Sequence, residues 1–262
     1  MILTREQFYL LLVAWLVLAV LIFPLLLRVT VPYGRHTKTS WGPTISNRIG
    51  WFVMELPVII VFSVLFFWGD VVKTAPMMFI YSAFMLHYVH RVFVFPLAIK
   101  SSGKRMPVLI VVLAFVFNLI NGFFNGYWFG WLSGGYELTW FTDPRFIIGA
   151  VLFFLGMYLN ISSDYQLINL RKGNKSGYFI PHKGLFKHVS SPNLLGEMIE
   201  WTGWAVMSWC LPAAAFAWWT LANLIPRALD HHRWYKQRFP DYPTERTALI
   251  PWGLFRKKSQ RM

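Results

Sequence analysis

Acidic residues and cysteines are scarce in this chain of 262 residues. It has 11 Asp and Glu residues against 25 Lys and Arg residues, and charged residues make up only 14% of the total. Soluble domains average about 25% charged residues, so the composition argues against a soluble protein. The single cysteine, Cys210, excludes an intramolecular disulfide and a cysteine-based zinc site.

Several well-known ligand-binding motifs are missing as well. The chain has no GxGxxG after a strand, no GxxxxGK(S/T) and no HExxH, and we expect no bound metal. The formal net charge of +14 is compatible with a nucleic-acid partner. No basic–aromatic motif and no soluble domain accompany this charge, however, so we expect no nucleic-acid binding.

Long apolar runs are abundant, and hydrophobic residues make up 56% of the chain. The first run, residues 8–27, contains no charged residue and as a helix would span about 30 Å, the thickness of a bilayer core. The run follows a short segment with one Arg and one Glu, and it lacks a small-residue cleavage site. We therefore interpret this run as a membrane helix and not as a signal peptide.

The apolar runs predict an all-α, polytopic membrane protein with seven transmembrane helices. Lys and Arg are concentrated in the first, third and fifth connections and in the tail, and cytoplasmic loops carry such an excess. This alternation predicts an amino terminus outside and a carboxy terminus in the cytoplasm. The predicted spans are 8–27, 50–68, 76–99, 107–131, 145–164, 193–211 and 212–229.

Three acidic residues interrupt these spans, Glu55 in the second and Glu197 and Glu200 in the sixth. A charge at the centre of a membrane helix costs about 2.5–3.5 kcal/mol, so such groups usually face a bundle interior or a watery cavity. Glu55 and Tyr88 fall at similar depths, where they could meet. A phenol beside a carboxyl group can polarise a carbonyl oxygen. The alternative for Glu55 is a salt bridge with a histidine or with Arg91.

Further polar residues recur at helical spacing on the cytoplasmic side. The fifth span ends with Asn160, Asp164 and Arg171 on one face. The sixth span carries Asn193, Glu197, Glu200 and Trp201 on one face, and Arg227, His231 and Tyr235 follow the seventh. Arginines and aromatic rings suit a nucleotide. Solvated helix ends, interhelical hydrogen bonds and headgroup contacts are the alternatives.

The chain resembles steroid 5-alpha-reductases in three carboxy-terminal runs. These are LGMYLNISSDYQLINLR (155–171), GYFIPHKGLFKHVSSPNLLGEMIEWTGWA (177–205) and RALDHHRWYKQRFPDYPTERTALIPW (227–252). This pattern is shared with enoyl-CoA, polyprenol and sterol reductases. The amino-terminal blocks PYGRHT, WFVMELP and HYVHRVFV (32–37, 51–57 and 87–94) narrow the resemblance to reductases of 3-oxo-Δ4 steroids.

The resemblance implies an NADPH-dependent membrane enzyme that reduces a conjugated carbon–carbon double bond. In that scheme Glu55 and Tyr88 hold the 3-ketone oxygen of the steroid, a hydride adds at C5, and the enolate takes a proton at C4. Trp51 and Trp201 line the flat apolar slot for the steroid. The implied cofactor residues are Arg35, Asn160, Asp164, Arg171, Tyr178, Asn193, Glu197, Arg227, His231, Tyr235 and Arg246.

We predict a single domain, with substrate-side helices in residues 1–106 and the cytoplasmic NADPH-binding loops and tail in residues 107–262. The expected partners are a steroid or other apolar enone and membrane lipid, and the expected state is a monomer. The GxxxG spacing of Gly122 and Gly126 favours internal packing over dimerisation. The membrane is a bacterial inner membrane or the endoplasmic reticulum.

Three alternatives stay open at this point. The first is an enoyl-CoA, polyprenol or sterol-ring reductase of the same superfamily, which Glu55 together with Tyr88 argues against because the pair suits a ketone. The second is a membrane methyltransferase with an adenosyl cofactor. The third is a transporter or ligand-binding membrane protein.

Overall fold

The computed structural model describes residues 3–32, 34, 41–99, 103–170 and 177–251. Seven long helices dominate this described part. They are α1 (Arg5–Arg28), α2 (Asn47–Trp68), α3 (Ala75–Ala98), α4 (Val108–Leu132), α5 (Pro144–Asn169), α6 (Pro192–Ser208) and α7 (Leu211–Arg238).

Shorter elements complete the described fold. Two strands, β1 (Thr44–Ser46) and β2 (Arg105–Pro107), pair antiparallel and join the segments that precede α2 and α4. Turns of 3-10 helix occupy Leu138–Thr142 and Gly184–Lys187. Helix α3 widens into π-helix at His90–Val94, before its last α-helical turn at Phe95–Ala98, and α4 ends in π-helix at Trp128–Leu132.

Helices α1 to α5 are each long and apolar enough to cross a membrane. The prediction of an all-α, multi-pass membrane protein is therefore confirmed. The sixth and seventh predicted spans coincide with α6, of 17 residues, and α7, of 28 residues. Neither helix meets the same criterion of length and hydropathy, so the seven spans and the orientation of the termini stay predictions.

A tight hairpin joins α6 to α7, as the sequence predicts. Only Trp209 and Cys210 separate the two helices, and Trp209 takes the left-handed conformation, with a φ of 46°, that ends α6. The carbonyl groups at the end of α6 are capped from the connection between α4 and α5. Tyr136 donates its hydroxyl proton to the oxygen of Ser208 (2.6 Å), and the indole of Trp140 donates to the oxygen of Met207 (3.0 Å).

Glycines allow α5 and α6 to touch along their backbones. A Cβ atom at Gly156 would lie 2.3 Å from the amide nitrogen of Glu200, and one at Gly196 would lie 2.4 Å from that of Asn160. Small residues permit such close approach between membrane helices. This contact therefore fixes the polar residues of α6 against those of α5.

The GxxxG pair is also used internally. A Cβ atom at Gly122 would lie 3.1 Å from the side chain of Val61, and one at Gly126 would lie 2.9 Å from that of Leu65. Both neighbours belong to α2, so the predicted internal packing is confirmed. The contact holds α4 close to α2 in the part of α2 that follows Glu55.

We expect Gly156→Ala to destabilise the fold by about 1–3 kcal/mol, because the added methyl group meets backbone that cannot yield without separating the helices. A lower midpoint of thermal unfolding in detergent, measured by tryptophan fluorescence, would show this. Val151→Ile is the matched control, since it adds one methyl group to the same helix at a residue that is 61% exposed. Equal midpoints for the two variants would contradict the role of the α5–α6 contact.

Candidate functional site

A cavity of about 820 Å³, including its open mouth, lies among α2, α3, α4, α6 and α7. Small-molecule sites combine mostly apolar walls with a few well-placed polar groups. This cavity has that character. Its walls include Trp51, Met54, Phe117, Trp201, Phe216 and Trp219, and its polar lining is Glu55, His87, Tyr88, Arg91, Asn118, Glu197, Thr220, Asn223 and Arg227.

The structure brings Glu55 and Tyr88 to the same cavity, and an asparagine of α4 contacts each of them. Asn118 donates its amide to Glu55 Oε2 at 3.1 Å, and Asn121 donates to the Tyr88 hydroxyl oxygen at 3.4 Å. Among the described residues the carboxyl and phenol groups do not bond each other directly. Because Asn121 donates to the phenol oxygen, Tyr88 keeps its own proton to donate to a ligand.

The asparagines of α4 are functional candidates that the sequence prediction missed. Asn118, Asn121 and Asn125 are 4%, 4% and 1% exposed, and their spacing of three and four residues puts them on one helical face. Asn125 donates to Asn121 Oδ1 at 2.8 Å, which turns the amide nitrogen of Asn121 towards the phenol. Three amides on one face of an otherwise apolar helix were the available signal.

Arg91 sits at the polar centre of the bundle with only 7% of its surface exposed. Its guanidinium group lies 3.2 Å from Asp164 of α5 and 3.8 Å from Glu197 of α6. The same group lies over the Trp51 ring at 4.8 Å, a cation–π contact. The salt bridge considered for Glu55 does not form among the described residues, because Arg91 serves other acids and His87 pairs with Glu200.

Four of the residues implied for the cofactor form one network between α5 and α6. Asn160 donates to the carbonyl oxygen of Asn193 at 3.0 Å and to Glu197 Oε2 at 3.4 Å. Asn193 donates to Asp164 Oδ1 at 2.9 Å. These contacts are interhelical hydrogen bonds, the alternative that the sequence left open. Of the four, Glu197 also lines the cavity.

The segment after α7, which carries Arg246, is tied to the loop before α6. The Ser190 hydroxyl lies 2.6 Å from His232 Nδ1 and 2.7 Å from the Tyr242 hydroxyl, and it donates to the oxygen of Thr247 at 3.0 Å. Burial, and then the neighbouring Lys236, lower the pKa of His232, so its ring is neutral at pH 7. These bonds hold Arg246 in place, 4% exposed.

The guanidinium group of Arg246 has nitrogens that could still bind a ligand. Its Nη2 donates to His182 Nδ1 at 3.3 Å, whereas its buried Nε and Nη1 have no hydrogen-bond partner among the described residues. A buried donor without a partner costs about 1–3 kcal/mol, and more when it is charged. An anionic group at this point would remove that cost.

The other implied cofactor residues are spread over the same end of the bundle. Arg227 lines the cavity, His231 lies 3.3 Å from the Ser191 hydroxyl, and the Tyr235 ring stacks on Tyr242 at 5.2 Å. Tyr178 packs edge-on against Trp234 at 5.0 Å. Arg35 and Arg171 lie outside the described residues.

Comparison with known proteins shows the family to which this chain belongs. A family model described as 3-oxo-5-alpha-steroid 4-dehydrogenase matches residues 104–254. The steroid 5-alpha-reductase DET2 of Arabidopsis thaliana is 44% identical over 227 residues, which cover 84% of this chain and 86% of that protein. The chain belongs to the steroid 5-alpha-reductase family. The resemblance stated from the sequence motifs is thereby confirmed.

Animal relatives give the same assignment. The 3-oxo-5-alpha-steroid 4-dehydrogenase 1 of Macaca fascicularis is 40% identical over 222 residues, covering 84% of this chain and 83% of that protein. The type 2 protein of Rattus norvegicus is 41% identical over 222 residues, covering 84% and 86%. This member of the steroid 5-alpha-reductase family is therefore an oxidoreductase, and the methyltransferase and transporter alternatives are set aside.

We expect Arg91→Met to destabilise the protein by about 3–5 kcal/mol, because it leaves the buried Asp164 and the half-buried Glu197 without their cation. Thermal unfolding in detergent measures the loss, and adding Asp164→Asn to Arg91→Met should recover part of it. Arg233→Ala is the control, since its salt bridge with Asp230 has an arginine side chain that is 59% exposed and is worth about 1 kcal/mol or less. Equal effects of Arg91→Met and Arg233→Ala would refute the central role of Arg91.

Proposed function

We propose that this protein reduces the Δ4 double bond of 3-oxo-Δ4 steroids to 5-alpha-3-oxosteroids with NADPH. One observation carries the proposal: the carboxyl group of Glu55 and the phenol of Tyr88 reach the same aromatic-walled cavity, in a chain whose relatives are named for this steroid reaction. Reduction of a double bond next to a ketone requires a hydrogen-bond donor at the ketone oxygen, because negative charge develops there. The other end of such a ligand requires apolar walls.

The cavity suits a flat apolar skeleton with one polar end. Trp51 and Trp201 lie on its walls, with Phe117 and Phe216 nearby. Burial of apolar surface contributes about 25 cal/mol per Å², and aromatic faces add contact area without costly side-chain ordering. Substrate affinity would therefore come from these rings, and orientation from the polar end at Glu55 and Tyr88.

Glu55 and Tyr88 would act on the ketone oxygen. Tyr88 donates its hydroxyl proton, and Glu55 in its neutral form donates a second hydrogen bond. Negative charge grows on this oxygen as the enolate forms, so both bonds strengthen in the transition state. Asn118 and Asn121 hold the two donors in place from α4, which avoids reorganisation during the reaction.

NADPH, when bound, supplies the hydride that adds to C5. The residues present fit such a group. Arg246 offers two buried guanidinium nitrogens that have no hydrogen-bond partner in the described part of the chain, and Arg227 presents a second guanidinium group to the cavity. Arginine binds phosphate in bidentate geometry. We propose that these two arginines bind the cofactor. The other residues proposed to contact it are Arg35, Asn160, Asp164, Arg171, Tyr178, Asn193, Glu197, His231 and Tyr235.

The proposed arrangement in the membrane follows from the same elements. We propose seven spans, with the amino terminus outside and the cofactor side in the cytoplasm. The basic surplus of the third and fifth connections and of the tail supports this orientation. We further propose one domain, with the ketone-binding groups on helices within residues 1–106 and the cofactor-binding groups mainly within residues 107–262.

The reaction is tested with purified protein in detergent, given NADPH and testosterone or progesterone. Mass spectrometry and chromatography against 5-alpha and 5-beta standards should show a product that has gained two hydrogens and elutes with the 5-alpha standard. Retained NADPH binding without a steroid product would point to an enoyl-CoA or polyprenol substrate instead. Absence of NADPH binding would overturn the proposal.

We expect Tyr88→Phe and Glu55→Leu each to lower kcat by about 10²–10³-fold, the usual effect of removing one donor to a developing oxyanion. NADPH affinity, measured by fluorescence titration, should change by less than about twofold because neither group is placed at the cofactor. Tyr81→Phe is the control, since it removes a phenol from the same helix whose bond is to Ser63. Full activity of Tyr88→Phe, or loss of NADPH binding in both variants, would contradict these roles.

We expect Arg246→Ala to raise the dissociation constant for NADPH by about 10–100-fold, the value of a charge-assisted hydrogen bond. Turnover at saturating NADPH should stay near that of the unaltered protein. Arg238→Ala, at an exposed position of the last turn of α7, removes the same charge and is the control. Equal NADPH affinity in the two variants would exclude Arg246 from the cofactor site.

A further inference from the structure

A second acid–base pair lies beside the ketone-binding groups. His87 Nδ1 and Glu200 Oε1 are 2.7 Å apart, and the two residues are 4% and 0% exposed. His87 lines the cavity, its ring 5.1 Å from that of Tyr88 and 4.6 Å from that of Trp201. The pair thus extends from the cavity wall into the closed interior between α3 and α6.

Packing alone does not account for Glu200. Its second oxygen, Oε2, is buried and has no hydrogen-bond partner among the residues that the structure describes, and the nearby cation Arg91 contacts Asp164 and Glu197. A carboxyl group in such surroundings is more stable with its proton than as a carboxylate. An interior glutamic acid of this kind holds a proton directly against an imidazole ring.

The ring nitrogens of His87 have different surroundings. Glu200 occupies Nδ1, so Nε2 is the nitrogen that remains for a ligand in the cavity. An imidazole can release a proton from one nitrogen while it accepts another proton at the second. His87 can therefore pass a proton between the buried carboxyl group of Glu200 and a ligand bound in the cavity.

We propose that Glu200 and His87 form a relay that delivers the proton to C4 of the steroid enolate. The proposal rests on the function proposed above. His87 is next to Tyr88 in the chain, and C4 is bonded to the carbon whose oxygen Tyr88 holds. The relay is thereby brought to the reacting end of the ligand, where His87 is a catalytic residue and Glu200 acts through it.

The transfer balances in protons and charge. The enolate electrons form a bond from C4 to the proton on Nε2, and the Nε2–H bond breaks. At the same time the O–H bond of Glu200 breaks and its proton joins Nδ1. The negative charge of the enolate moves to the Glu200 carboxylate. After the product leaves, a proton from water enters at Nε2 and the proton on Nδ1 returns to Glu200.

Glu200→Gln and His87→Gln test the relay, because glutamine keeps a hydrogen-bonding group but cannot pass a proton. Both should lower kcat by about 10²-fold or more, the usual contribution of a general acid. KM for testosterone and affinity for NADPH should change by less than about twofold. Tyr81→Phe, which breaks a hydrogen bond of the same helix away from the cavity, should leave kcat unchanged.

Isotope effects separate a proton relay from a structural role. In Glu200→Gln the proton step limits turnover, so the effect of deuterated water on kcat should rise, and the effect of deuterium at the transferred position of NADPH should fall. Glu200→Asp, which keeps an ionisable proton, should recover part of the lost kcat. NADPH titration and thermal unfolding show that each variant is folded.

The measured kcat values and isotope effects distinguish failure of the relay from failure of the proposed function. A kcat for Glu200→Gln within twofold of the unaltered protein would overturn the relay, as would an equal loss in the Gln and Asp variants with isotope effects unchanged. In either case steroid reduction by the unaltered protein would leave the proposed function standing. Absence of steroid reduction by the unaltered protein would overturn both proposals together.

Discussion

The polar interior of this membrane protein depends on one buried cation, the guanidinium group of Arg91. It links α3 to α5 through Asp164 and to α6 through Glu197, and it rests on the ring of Trp51 from α2. Neither acid would be stable in the bundle without a cation, since an unpaired buried charge is very costly. The centre of four helices is therefore organised around a single charge.

Because Arg91 pairs with Asp164 and Glu197, the acidic residues Glu55 and Glu200 are left to contact other groups. Glu55 and Glu200 have no cation among the described residues, and each contacts a neutral group instead, Asn118 and His87. Acids of one chemical type thus fall into two sets. One set neutralises Arg91 and holds helices together. The other lies at the cavity or directly behind its wall, where we propose that it serves a ketone and an enolate.

The close contact between α5 and α6 makes this division possible. With glycines at 156 and 196 the two backbones approach until a Cβ atom would clash, so Asn160, Asp164, Asn193 and Glu197 meet in one network. Wider helix spacing would break these short amide contacts. The family assignment and the local geometry therefore support each other: the relatives name a steroid reaction, and the packing provides a cavity with donors at one end.

The amino-acid sequence by itself determined the class of protein, the positions of the helices and the residues on which a site could be built. These are local properties, since the length of an apolar run, its rare charges and its motifs are all read along one segment. The tertiary structure decided the partners: Arg91 with Asp164, Glu200 with His87, and asparagines of α4 with Glu55 and Tyr88. Those choices depend on how each helix is rotated against helices distant in the chain. Glycine contacts and the cost of burying unpaired charge set that rotation, and no single segment encodes it.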